Sequence, residues 1–253
     1  LANCKIVASM LKYYLVRNSY RKRGRKFVRS QGVAPIQLFP HVKKILNEQF
    51  MLSPDGRSPK YRTAVFSAPK KSTKTETGGA VLYSYAREYG GLCLAIANDK
   101  DQASRSFERV SRLLNLMRRE DPERYKSEID SVKNDEIVFK EFHDQPNGRG
   151  IIRAIPCDPS GEAGHENLAL THWDELWAYG DREKSARMWS ELQPVPNIPY
   201  SMRLVTTYAC TGPFGGRNQW VTMGRAWFSG VSMMRQLRRI QRRRSRWGYI
   251  RRG

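Results

Sequence analysis

The sequence predicts an α/β fold in which a mainly parallel β-sheet carries helices on both faces. Short apolar runs of strand length alternate along the chain with segments whose apolar residues recur at helical spacing. Two of the runs are followed by polar residues: a lysine-rich segment follows residues 64–66, and Asp174 and Glu175 follow residues 168–173. Because ligands of parallel sheets bind at the carboxyl ends of the strands, the two polar segments are predicted to share one site.

The strands are located by apolar runs that end at turn residues. Gly90 and Gly91 mark a turn before one such run, and Gly150 precedes another. Runs of four to eight residues without helical spacing favour strands over helices. We predict strands at residues 64–66, 92–97, 137–142, 151–155, 168–173 and 203–208.

The helices are located by periodicity and by proline. Residues 101–117 carry an apolar stripe at helical spacing, and residues 75–89 open directly on the lysine-rich segment. A helix at 42–50 follows Pro40, and one at 185–192 ends before Pro194. The stripe in the longest helix consists of Ala103, Phe107, Val110, Leu113, Leu114 and Met117. Residues 118–135 are strongly charged and are expected at the surface.

The lysine-rich segment fits a phosphate-binding loop in part. Residues 68–75 read Ala-Pro-Lys-Lys-Ser-Thr-Lys-Thr against the pattern G-x-x-x-x-G-K-[ST]. Lys74 and Thr75 match, whereas Ala68 and Thr73 replace both glycines. A β-branched residue is strained by about 1–2 kcal/mol where the backbone needs positive φ. A solvated lysine-rich turn before a helix is the alternative interpretation of this segment taken alone.

Asp174 and Glu175 add the chemistry that a phosphate loop lacks. One carboxylate suits a Mg²⁺ ligand, and the other suits a base that orients water for attack on a phosphate. The hydroxyl of Thr75 is a second candidate metal ligand. The order of the two segments, each after an apolar strand, is that of a P-loop NTPase. The predicted fold class is therefore a P-loop NTPase fold, with ATP and Mg²⁺ as cofactors.

The chain resembles the large terminase subunit of tailed bacteriophages. Residues 68–76 resemble the phosphate loop of that family, in which the position of Thr73 is normally Gly. Residues 161–179 resemble its acidic motif with the lead-in, and residues 203–209 resemble its coupling motif. Residues 95–103 resemble the strand and helix start that lie between the phosphate loop and the acidic motif. The resemblance extends over about residues 35 to 212 and keeps the motif order.

Pattern and resemblance together give each candidate residue a role. Lys74 would contact the β- and γ-phosphates, and Glu175 would activate the attacking water, so these two are the predicted catalytic residues. Thr75 and Asp174 are the predicted metal ligands. The resemblance implies that Thr206 and Thr207 sense the γ-phosphate and relay hydrolysis to movement. The predicted nucleotide contacts are Lys70, Lys71, Ser72, Thr73, Lys74, Thr75, Glu76, Thr206 and Thr207.

What the resemblance implies is an ATPase motor that drives double-stranded DNA into an empty capsid. The implied partners are double-stranded DNA, a portal protein, a small terminase subunit and further copies of the chain in a ring. The implied location is the host cell cytoplasm and, transiently, the capsid portal. Members of the family usually add a nuclease with clustered carboxylates, but no acidic residue follows Glu191, so no nuclease is expected in this chain.

Two alternatives to a motor are open at this point. One is a catalytically inactive or fragmentary nucleic-acid-binding relic of such a protein. Thr73, Val42 in place of a glutamine that members of the family often carry, and the absent nuclease favour it. The other is a helicase-like or different P-loop ATPase, although the sequence lacks the arginine motif typical of helicases. Turnover of ATP separates a motor from a relic.

The formal charge of +21 lies at the two ends of the chain. Residues 1–47 hold 11 Lys and Arg and no acidic residue, and residues 217–253 hold 11 Arg and no acidic residue. Ends of this kind bind DNA or RNA by neutralising phosphates. We predict a basic N-terminal segment at 1–50, whose helix leads into the ATPase, an ATPase domain at 51–212 and an arginine-rich tail at 213–253. The alternative for the tail is disorder or translation out of frame.

The cysteines, the histidines and the length of the apolar stretches argue against metal sites, disulfides and membrane spans. The four cysteines have no metal-ligand spacing and predict free thiols (Cys4, Cys93, Cys157 and Cys210). The four histidines form no ligand pattern, and His172 is predicted to be a packing residue. Residues 6–15 are too few for a membrane span, so no membrane partner is expected. A basic cluster at residues 17–29 follows them in place of a cleavage site, so no targeting segment is expected either.

Overall fold

The computed structural model describes residues 4–23, 26–54, 56, 58–68, 73–97, 100–157, 165–175 and 182–207. Seven strands form one sheet: β3 (Thr63–Ser67), β4 (Gly90–Ala97), β5 (Ile129–Val132), β6 (Glu136–Phe139), β7 (Asn147–Pro156), β8 (Leu168–Asp174) and β9 (Met202–Thr207). Their order is β3-β9-β8-β4-β7-β6-β5. The first five are parallel to one another, β6 is antiparallel to β7, and β5 is antiparallel to β6. The predicted mainly parallel sheet is confirmed.

Helices cover both faces of this sheet, as predicted. The helices of the described residues are α1 (Lys5–Met10), α2 (Pro40–Gln49), α3 (Lys74–Glu88), α4 (Lys100–Glu120), α5 (Pro122–Glu128) and α6 (Arg182–Glu191). One core cluster joins Leu46, Leu82 and Leu114 of α2, α3 and α4 to the sheet. On the opposite face, Met188 of α6 belongs to a second cluster with strand residues such as Val205.

Charged residues 118–135 are not all at the surface, so that prediction is wrong in part. Asp121 caps α5 by accepting from the backbone N–H of Arg124, and β5 begins directly after the helix. Glu128 is buried, where it accepts from the Tyr83 hydroxyl and from Arg124 Nε at 2.9 Å. Burial, with Glu128 adding to it, raises the pKa of Tyr83. A charged side chain is buried here because its partners satisfy it.

The first 50 residues contain strands that the sequence prediction did not include. β1 (Tyr14–Arg23) pairs with β2 (Lys26–Pro35) as an antiparallel two-stranded ribbon, separate from the main sheet. Basic and polar residues dominate this stretch of the sequence, which hides any alternation of apolar residues. The preceding helix α1 packs into the main core through Ile6, Val7 and Met10.

Arg203 links β9 to the helix on the far face of the sheet. Its Nη2 donates to the carbonyl oxygens of Trp189 and Leu192, at 2.6 and 3.0 Å, at the C-terminal end of α6. The guanidinium group lies 3.6 Å from the centroid of the Trp189 ring. Burial lowers the pKa of Arg203 to about 9. Arg203 and Val205 thus face α6, whereas Leu204 faces the other side of the sheet, as the strand period of two requires.

The predictions about cysteines, membrane spans and the ends of the chain can also be compared with the structure. Cys4, Cys93 and Cys157 are thiols and not disulfides, as predicted, and Cys210 lies outside the described residues. Among the helices that the structure describes, none is long and apolar enough to cross a membrane. Residues Leu1–Ala209 form one compact unit, and the predicted tail at 213–253 lies outside the described residues.

The packing between β4 and β7 can be tested with two glycines of nearly equal φ. A Cβ on Gly90 (φ +70°) would lie 1.8 Å from the carbonyl oxygen of Gly148, whereas a Cβ on Gly148 (φ +66°) would meet nothing within 4 Å. We expect Gly90→Ala to lower the free energy of unfolding by about 3 kcal/mol and Gly148→Ala by about 1 kcal/mol, since both are strained but only the first also collides with backbone. Urea unfolding measures both, and equal losses would contradict the packing.

Candidate active site

Three neighbouring strands end together at one edge of the sheet. Thr206 of β9 lies in register with Phe66 of β3 on one side and with Asp174 of β8 on the other. Just beyond the strand ends, the backbone N–H of Ala68 donates to Thr207 O at 3.0 Å, and that of Glu175 donates to Thr206 O at 2.8 Å. The two polar segments predicted from the sequence therefore lie side by side.

Asp174 is the centre of the polar contacts at this edge. The Thr206 hydroxyl donates to its Oδ1 at 2.6 Å, and the hydroxyls of Thr75 and Ser106 donate to its Oδ2 at 3.4 Å each. The carboxylate, on a residue only 5% exposed, is thus oriented by groups from α3, α4 and β9. Such contacts hold a metal-binding carboxylate in one geometry.

Ser106 is a functional candidate that the sequence interpretation missed. It lies four residues before Val110 on the buried side of α4, where the stripe of apolar residues predicts another apolar residue. A polar residue at such a position is buried only with a partner, and here the partner is Asp174. The interruption of the stripe was the available signal.

Lys74 lies at the start of α3 and is also only 5% exposed. Its Nζ donates to Ala68 O at 3.0 Å and lies 3.8 Å from Glu175 Oε1. A buried ammonium group at a helix N-terminus, where the backbone dipoles also favour anions, is suited to a phosphate. Lys74 and Glu175, the two predicted catalytic residues, are therefore neighbours.

Thr73 has the backbone conformation that the phosphate-loop pattern assigns to glycine. Its φ is 64° and its ψ 20°, in the left-handed region, immediately before α3. Its carbonyl oxygen accepts the N–H of Thr77 at 2.8 Å, as the first bond of the helix. Glu175 also has positive φ, at 51°. Strain of this kind, about 1–3 kcal/mol per residue, concentrates at functional sites.

His172 occupies the space between α3 and β9. Its ring is buried, and its Nε2 lies 2.9 Å from Thr206 Oγ1. Burial lowers the pKa of His172, against an opposing effect of Asp174. A Cβ on Gly78 of α3 would lie 2.4 Å from the ring, so the absence of a side chain at 78 makes room for it. His172 packs, as predicted, and it also joins the polar contacts around Asp174.

The other predicted nucleotide contacts divide into two groups. Glu76 pairs with Arg109 of α4, with Nε 3.3 Å from Oε2, and burial raises the pKa of Glu76 while Arg109 opposes the shift. Its carboxylate therefore contacts α4. Lys70, Lys71 and Ser72 lie outside the described residues, so their predicted contacts with phosphate stay predictions.

The residues around Asp174 fit Mg²⁺ bound together with a nucleotide. Within the described ranges, no group of three or more His, Cys, Asp or Glu side chains could hold a metal ion alone. Mg²⁺ in nucleotide sites needs only one or two carboxylates because phosphates and water complete its shell. The hydroxyl of Thr75 and the carboxylate of Asp174 are oxygen ligands of the type that Mg²⁺ prefers.

Comparison with known proteins gives a structural match and no sequence match. No protein-family model matches the chain, and no curated protein matches it either. The solved structure of the HK97 bacteriophage large terminase aligns with 80% of this chain at a TM-score of 0.50 and 16% sequence identity. The chain has a terminase-like fold. The alignment covers 37% of the HK97 terminase, so the likeness concerns part of that protein.

The strain at Thr73 gives a test of the predicted phosphate loop. Thr73→Gly should raise ATP affinity about 5- to 30-fold if the 1–2 kcal/mol of strain is expressed fully in binding, since it removes a Cβ at positive φ. Titration with nucleotide measures the affinity. Thr73→Val is the matched control, because it keeps the β-branched shape and should bring no gain. An equal affinity of the glycine variant and the wild type would mean that the Cβ at position 73 does not oppose nucleotide binding.

Proposed function

We propose that the chain is the ATPase motor part of a phage terminase large subunit, which couples ATP hydrolysis to the packaging of double-stranded DNA. One observation carries the proposal: Lys74, Thr75, Asp174, Glu175 and Thr206 meet at the carboxyl ends of three adjacent strands. Binding ATP, holding its metal and activating water require these groups in one place. The terminase-like fold supports the same assignment.

In this proposal each residue acts on a different part of the reaction. Lys74 leaves its contact with Ala68 O to meet the β- and γ-phosphates, and the amides at the start of α3 bind phosphate oxygens. Glu175 orients the attacking water and takes its proton. Thr75 and Asp174 hold Mg²⁺, which neutralises phosphate charge when bound. Thr206 and Thr207, at the end of β9, sense the loss of the γ-phosphate and pass it on to this strand.

The proposed partners follow from charge and from the terminase-like fold. Residues 1–47 hold 11 basic and no acidic residues, which favours contact with DNA phosphates. A two-stranded ribbon such as β1–β2 has the dimensions of a major-groove ligand. We propose double-stranded DNA, a portal protein, a small terminase subunit and a homo-oligomeric ring as partners. The proposed location is the host cytoplasm and, transiently, the capsid portal.

A second candidate function is a nucleic-acid-binding relic of such a motor. The observation that favours it is Thr73, a β-branched residue at positive φ where the phosphate must approach the backbone. The relic would bind DNA through its basic segment without turning over ATP.

Phosphate release from ATP by the purified chain distinguishes the two functions. A motor should hydrolyse ATP only with Mg²⁺ and faster with double-stranded DNA. Binding of DNA should weaken steeply between 50 and 200 mM salt in both cases, since phosphate neutralisation releases counterions. DNA binding without any phosphate release would favour the relic. Absence of both ATP binding and DNA binding would refute the proposed function.

A further inference from the structure

Three side chains form a short hydrogen-bonded series behind the metal-binding carboxylate. His172 Nε2 lies 2.9 Å from Thr206 Oγ1, and that hydroxyl donates to Asp174 Oδ1 at 2.6 Å. A threonine hydroxyl has one proton, so a hydroxyl that donates to Asp174 can only accept from the ring. His172 must therefore carry a proton on Nε2.

Within the part of the chain that the structure describes, the other ring nitrogen has no partner that could accept a proton from it. Nδ1 of His172 is buried and has no hydrogen-bond partner among the described residues. A proton there would leave a buried N–H donor unsatisfied, which costs about 1–3 kcal/mol. The geometry thus selects one tautomer, with Nε2 protonated and Nδ1 bare.

The ring also connects the acidic strand to the helix of the phosphate loop. Gly78 lies one turn beyond Thr75 on α3, and an added Cβ there would be 2.4 Å from His172 Cε1 and 2.5 Å from Nε2. The ring is therefore held between α3 and Thr206, with little freedom to turn. A ring fixed in this way fixes the direction in which the Thr206 hydroxyl points.

We propose that His172 is a positioning residue for the metal: by donating to Thr206, it holds Asp174 with Oδ1 occupied and Oδ2 turned toward Thr75. The inference rests on the proposed function, because it assigns a role in the same nucleotide site. Residues behind the metal ligands typically change metal affinity or activity 10- to 100-fold when they are replaced.

The test compares substitutions on the two faces of β8. His172→Leu removes both nitrogens at similar volume, and His172→Gln keeps a donor. Thr171→Val is the matched control: Thr171 is buried on the same strand, but its hydroxyl accepts from Trp173 Nε1 at 3.1 Å, away from Asp174. Mn²⁺ affinity is measured with a non-hydrolysable ATP analogue, and kcat and KM are measured with ATP and Mg²⁺.

His172→Leu should weaken Mn²⁺ binding about tenfold and lower kcat about tenfold, with the KM for ATP changed by less than about twofold. His172→Gln should recover most of both losses. Thr171→Val should lower the melting temperature without changing Mn²⁺ affinity. The effects of His172→Leu and Thr206→Val should not add in the double variant, because both break the same link.

Three results would overturn the inference. Equal Mn²⁺ affinity and kcat in His172→Leu and Thr171→Val would reduce His172 to a packing residue. Nitrogen-15 shifts of the wild-type ring that show no proton on Nε2 at neutral pH would contradict the donation to Thr206, and this measurement needs neither nucleotide nor a variant. A wild type that binds no nucleotide would refute the proposed function and this inference together, whereas the first two results refute the inference alone.

Discussion

Glu175→Gln is expected to lower the rate of phosphate release about 10²- to 10⁴-fold while ATP affinity changes by less than about threefold. The amide fills the same volume but cannot accept a proton from water, and general-base catalysis contributes a factor of that size. Glu175 lies at the end of β8 with its Oε1 3.8 Å from Lys74 Nζ. Single-turnover phosphate release gives the rate, and titration with ATP gives the affinity.

Glu166→Gln is the matched control for this prediction. Glu166 is an exposed carboxylate just before β8, at the opposite end of the strand from Glu175. The control should keep the wild-type rate, since it removes the same charge away from the site. Unchanged phosphate release in Glu175→Gln would remove the residue from catalysis and leave the relic as the better description.

Lys74→Ala should weaken ATP binding by about 3 kcal/mol, which is a factor of about 150. The ammonium group lies in a site where only 5% of the residue is exposed, so water screens its attraction for phosphate weakly. The variant also removes the donor to Ala68 O, which the structure places at 3.0 Å. Calorimetric or fluorescence titration with ATP measures the affinity.

Lys60→Ala is the control for charge alone. Lys60 is exposed, just before β3, and its Nζ lies 5.4 Å from the centroid of the Tyr61 ring. It changes the net charge of the chain by the same amount as Lys74→Ala without touching the site. A similar loss of affinity in both variants would mean that ATP is attracted by the overall charge and not bound by Lys74.

The sheet and the composition of the site could be predicted because they depend on local signals. Apolar runs in residues 64–66, 92–97 and 168–173 gave strands, and the polar residues after them gave the site. The expectation of strain at Thr73 also depended on one residue type at one loop position, and its φ of 64° confirms positive φ there. Such signals need no knowledge of which segments meet in space.

The remaining features depend on long-range contacts that no local pattern encodes. The position of β9 between β3 and β8 brings Thr206 to Asp174, although 32 residues separate them in sequence. Glu128 is buried in a charged segment because Tyr83 and Arg124 meet it. Every residue of β8 is buried, so alternation along the strand could not show that His172 and Asp174 contact the same layer.

Because Arg203 is attached to α6, β9 makes polar contacts near both of its ends. At one end, Thr206 holds the carboxylate that would face the nucleotide, and three residues away Arg203 holds the last turn of α6 on the reverse side. A strand inside a sheet is stiff over this distance, since the ladder on both edges fixes it. In the proposed motor, a displacement at Thr206 would therefore be passed along β9 to Arg203 and through it to α6. Among the described elements, α6 is the helix that Arg203 joins to β9 on the face of the sheet away from Asp174.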